Sequence, residues 1–71
     1  MEYIVIAWLA NGTTLQAEGP IEACVSMARI ERLYAAQGQP MPATHNGTGE
    51  RTTVVRWECR AKASGLEVPL T

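Results

Sequence analysis

A chain of 71 residues with a net charge of -1 and 46% hydrophobic residues reads as one small domain, able to bury about 60% of its unfolded surface. The near-neutral balance argues against a generic nucleic-acid binder, which needs a positive field, and gives no pull toward anionic membranes. No apolar run approaches the ~20 residues that span a bilayer, and no basic region precedes the apolar residues 3–10, so no targeting segment is read and a cytoplasmic location is expected.

Residues 2–10 are rich in Tyr, Ile, Val and Trp and read as a strand that ends at Asn11-Gly12. Asn-Gly suits the positive φ angles of a two-residue type I′ turn, so residues 13–18 should return as a second strand. That loop length pairs Trp8 with Leu15, Ile6 with Ala17 and Val5 with Glu18. Ile4, Ile6, Trp8 and Ala10 then share a face with Leu15 and Ala17, and this face is expected to be the core. Tyr3, Val5, Ala7 and Leu9 are expected on the open face. A strand apolar on both sides belongs at the centre of a sheet.

Residues 19–40 read as one helix. Pro20 suits the first helical position, Glu22 the positive end of the macrodipole, Gly38 the left-handed closing residue, and Pro40 forbids continuation. At ~100° per residue the helix carries two apolar stripes. Ile21, Cys24, Val25, Ala28 and Ala35 are mostly small and are assigned to the chain's own sheet. Ala23, Met27, Ile30 and Tyr34 form the second stripe, which is either further core or a surface for another chain.

Residues 37–50 hold Pro40, Pro42, Asn46-Gly47 and Gly49 without periodicity and read as a mobile loop. Residues 51–62 alternate clearly, with Thr53, Val55, Trp57, Cys59 and Ala61 on one face, toward the helix. The fold class is therefore α+β: a three-stranded antiparallel sheet in the order 2-1-3 with one helix on one face, ββαβ. The domain spans residues 1–63, and residues 64–71 form a short tail.

Chemistry is poorly represented. His45 is the only histidine and falls in the loop, so a Cys–His pair with Cys24 or Cys59 has little support. Cys24, Cys59 and His45 fall short of the four ligands of a structural zinc site. No catalytic residue, cofactor or metal is assigned. Cys24 and Cys59 could be neighbours, but two reduced core thiols are expected in a cytosolic chain, with a disulfide as the alternative. Arg51, Arg56, Arg60 and Lys62 could form a nucleic-acid surface, but Glu58 dilutes them and both tryptophans are expected to face the helix.

The expected function is a small non-enzymatic protein-binding module acting by surface occlusion or docking on a larger complex. Its apolar contacts are Met27, Ile30 and Tyr34, or the residues of the open sheet face, with Arg29, Arg32, Arg56 or Arg60 at the rim. All seven acidic residues are Glu and the one lysine accompanies five arginines, a bias that fits a GC-rich genome and a phage or mobile-element inhibitor of a host (defence) complex. A homodimeric assembly component is the alternative, and a nucleic-acid-binding accessory protein the third.

Overall fold

The computed structural model describes residues 1–45 and 47–69. Its elements are β1 (Tyr3–Leu9), β2 (Thr14–Gly19), α1 (Ile21–Ala36), β3 (Met41–Thr44) and β4 (Arg51–Ala61). The class is α+β, and the strands form one antiparallel sheet in the order β2-β1-β4-β3. β1 is an inner strand, in keeping with its two apolar faces. The expected order 2-1-3 is corrected to four strands, because Met41–Thr44 lies in the stretch read as a loop. Pro42 obscured it, yet an edge strand tolerates proline where no ladder hydrogen bond is needed.

The hairpin loop has three residues where two were expected. The Gly12 N–H donates to the Leu9 carbonyl at 3.0 Å and the Leu9 N–H to the Thr13 carbonyl at 2.9 Å. Gly12 takes φ 88°, the left-handed residue that follows a type I turn in such loops. Asn11 braces the turn by accepting from the Thr13 N–H at 3.1 Å. The register therefore moves by one, so that Ala7 opposes Leu15 and Val5 opposes Ala17. A one-residue shift exchanges the faces. Val5, Ala7 and Leu9 join Leu15 and Ala17 on the helix side of the sheet, with Ala7 and Leu9 buried. Ile4, Ile6 and Trp8 occupy the open face, the reverse of the expected assignment, so of the two tryptophans expected to face the helix only Trp57 does.

β4 carries the second departure. Trp8 pairs with Arg56 but Leu9 with Val54. The skipped residue, Val55, is 70% exposed. Such a bulge reverses alternation upstream. Trp57, Cys59 and Ala61 sit on the helix side as expected, but Val54 replaces Thr53 and Val55 there. Beyond β4 the chain turns back. The Val68 N–H donates to the Cys59 carbonyl at 2.7 Å and the Ala61 N–H to the Leu66 carbonyl at 3.0 Å.

α1 is shorter than the 19–40 span and places Pro20 at the N-cap, one position earlier than expected. Glu22 lies in the first turn, and Gly38 closes the helix at φ 68° with its N–H on the Ala35 carbonyl at 3.0 Å. The expected reduced thiols are corrected: Cys24 and Cys59 form a disulfide with a Cα separation of 5.9 Å. The geometry brings one buried thiol of α1 onto one buried thiol of β4. Of the first stripe, Cys24 and Ala28 are buried, Ile21 is half-buried, and Val25 and Ala35 are exposed.

Candidate functional site

The disulfide ties α1 to β4, and the Trp57 indole N–H donates to the Glu31 carboxylate at 2.5 Å. Both ties fall on the helix side carrying Cys24, Ala28 and Glu31. The flank of α1 about a quarter turn away overhangs the β1–β2 half of the sheet and leaves an apolar groove of about 480 Å³ there. Val5 and Ala7 of β1 and Leu15 and Ala17 of β2 form its floor. Ala23, Met27, Ile30 and Tyr34 form its wall, and Met41, Ala43 and Val54 close one end. Gln16, Ser26 and Pro42 are the other lining residues, so nothing charged enters it.

The groove wall continues over the crest of α1. At ~100° per residue, Ala23, Ser26, Met27, Ile30, Leu33, Tyr34 and Gln37 share about one-third of the circumference without one charge. Ile30 is 42% and Leu33 60% exposed. Glu22, Arg29 and Arg32 lie beyond this sector. Lack of charge over exposed apolar side chains marks the centre of a protein interface.

The expected contact residues thus divide. Met27, Ile30 and Tyr34 come together in the groove wall, and Arg29 and Arg32 lie exposed on the same helix. Arg56 and Arg60 lie on the other side of the sheet, away from the groove. There Glu58, only 5% exposed, is held by Arg56 and by Arg60 at 2.7 Å. The Arg56 guanidinium also stands 4.7 Å from the centroid of the Trp8 ring. This arrangement occupies the aromatic face that a stacked base would need. Sequence alone placed Leu15 and Ala17 of the floor on the helix side but not Val5 and Ala7, which the two-residue loop register put on the open face. It also left Leu33 on the solvated side of the helix. The helical spacing of Ile30, Leu33 and Gln37 was the available signal.

Lys62 and His45 have structural partners. Lys62 reaches Glu18 at 2.9 Å and Glu2 at 3.2 Å, joining the ends of β1 and β2. The Glu18 hydrogen bond first, and then that of Glu2, raises the Lys62 pKa above its ordinary 10.5. His45 Nδ1 lies 3.2 Å from the Thr48 hydroxyl. Among the described residues, no group of three His, Cys, Asp or Glu side chains could hold a metal ion, and no helix is long and apolar enough to cross a membrane. No protein-family model, curated protein or solved structure matches the chain.

Proposed function

We propose that this chain is a non-enzymatic protein-interaction module that acts by burying the groove beside α1 and the charge-free crest of that helix. The observation that carries this reading is the groove itself. An apolar volume of about 480 Å³, walled by Met27, Ile30 and Tyr34, stands open in a domain whose fully buried hydrophobic set is small. Exposed apolar surface of this kind in a small domain is a binding surface or a liability to aggregation. Arg29 stands nearer the margin than Arg32, which lies on the far flank of α1, and charges so placed govern orientation and encounter rate more than affinity. Action by occlusion, as an inhibitor of a larger host complex would use, needs no further machinery. Nucleic-acid binding has less support, since Arg56 and Arg60 are paired to Glu58 and Arg56 covers Trp8.

The test is a benzophenone amino acid in place of Ile30, irradiated in cells that express the chain. Covalent protein adducts are expected, and adding Leu33→Glu should remove them. A folded, probe-bearing chain that yields no adduct overturns the reading.

A further inference from the structure

We infer that the occupant of the groove is α1 of a second copy of this chain, in a two-fold pair with the helices side by side and parallel, the axis running alongside them. This inference rests on the interaction-module reading above and names the partner of that same site.

Width is the first argument. Four strands about 4.8 Å apart make a sheet roughly 19 Å across, and a helix with its side chains covers about 10 Å of it. One helix therefore covers about half the sheet. α1 lies nearest β1 and β3, and the strip left open beside it runs along β2, where Leu15 is half-buried and Ala17 exposed. No second helix exists among the described residues.

Surface area is the second. The chain exposes 4890 Å² for a mass of 7.7 kDa. A compact monomer of that mass exposes about 4,300 Å². The excess is about 600 Å², close to the ~800 Å² that one partner buries in a standard interface. The Cα extents of 31 × 29 × 15 Å give the reason: the molecule is a slab, one sheet half-covered by one helix.

Self-complementarity is the third. A two-fold contact requires one patch to match itself. Here the patch contains both a ridge, Ile30 and Leu33, and a trough floored by Leu15 and Ala17. Rotating a copy about an axis beside α1 lays each ridge in the other's trough. Each helix then has its own β4 beneath it and the second copy's β1–β2 floor above it. Small floor and wall residues, Ala7, Ala17 and Ala23, allow the close approach this needs. Arg29 and Arg32 fall on the outer side of the helix pair, in water. Because each trough is filled by the other ridge, the assembly closes at two.

The experiment is solution mass by light scattering on the purified chain from micromolar to millimolar concentration, with isotope-filtered NMR on a mixture of labelled and unlabelled chains. The expected result is a concentration-dependent species of twice the 7.7 kDa chain mass, with intermolecular contacts between Leu33 and Leu15 methyl groups. Ile30→Glu with Leu33→Glu should keep the circular dichroism spectrum and weaken association by about 100-fold or more, since it forces charges into an apolar contact. A monomer at every concentration overturns the inference, as does a dimer whose intermolecular contacts lie at Ile4 or Trp8. A monomer that still yields photo-adducts from position 30 assigns the groove to a different protein and leaves the interaction reading standing. A monomer without adducts removes both.

Discussion

Reducing the Cys24–Cys59 bridge should cost this domain a large share of its stability. The bridge joins positions 35 apart in sequence, and closing a loop of that length removes denatured-state entropy equivalent to about 4 kcal/mol at 25 °C. A domain of 71 residues has a total stability of about 4–11 kcal/mol. The reduced chain therefore retains anything from almost none to about 7 kcal/mol. At roughly 4–8 °C per kcal/mol for this size, the midpoint should fall by about 15–30 °C. Cys24 is 0% and Cys59 2% exposed, so reductant reaches them only through opening. The assay is to reduce in denaturant, refold with reductant present, and compare thermal melts of the oxidised and reduced chains, with alkylation and mass measurement to count thiols. Cys24→Ala with Cys59→Ala should reproduce the shift. The entropy argument would be refuted by melts coinciding within about 3 °C, because the reduced denatured state would then already hold the loop closed. Amide exchange adds a local readout: with the bridge gone, α1 should exchange faster than β1 and β4.

Glu58→Gln should destabilise the fold by about 1–3 kcal/mol, since a carboxylate at 5% exposure loses charge-assisted bonds to Arg56 and Arg60. Urea unfolding read by tryptophan fluorescence measures it, and an unchanged midpoint contradicts the argument. Gly12→Ala should cost about 1–2 kcal/mol through the backbone alone, because φ is 88° while nothing lies within 4 Å of the added Cβ. Asn at that position should recover part of the loss, and a neutral alanine variant would disprove the loop assignment. Lys62 titrates above its ordinary 10.5 in the folded state. A raised folded value means that its contribution is complete below 10.5 and disappears as pH climbs through the folded value. Wild type and Lys62→Gln should therefore differ most at neutral pH and converge in strong alkali. A gap that widens with pH contradicts that sign.

Much of this architecture was legible in the residues, and the losses have identifiable causes. Pro20, Glu22 and Gly38 marked the helix because each acts through a local backbone effect. β1 and β4 were legible as strands because their β-branched and aromatic residues are dense. The register was not legible. Asn11-Gly12 satisfies a two-residue turn and the last two positions of a three-residue loop equally well, and the difference moves every β1 side chain to the other face relative to β2. Helix packing decides between them, and a packed Ala7 admits α1 more closely than Trp8 would. β3 escaped because it has four residues, one of them proline, whose pairing depends on β4 being present. Half of the candidate site followed from helical spacing, which placed Met27, Ile30 and Tyr34 together. The other half depended on the hairpin register. The bridge was half legible too: Cys24 and Cys59 were placed on facing surfaces, but their oxidation is a matter of proximity that no spacing rule supplies.

β4 is the longest strand, 11 residues, and its side away from β1 is a hazard. A bare edge of that length is a template on which foreign strands can stack into fibres. The chain protects it in pieces. β3 shields residues 51–54, the returning segment at 66–68 shields residues 59–61, and the bulge at Val55 bends the backbone in the gap between them. The last described residues are therefore a guard against aggregation as well as an ending. Proteolysis after Ala63 would spare the groove and the disulfide, yet it would bare one end of that template and favour amyloid-like growth from it.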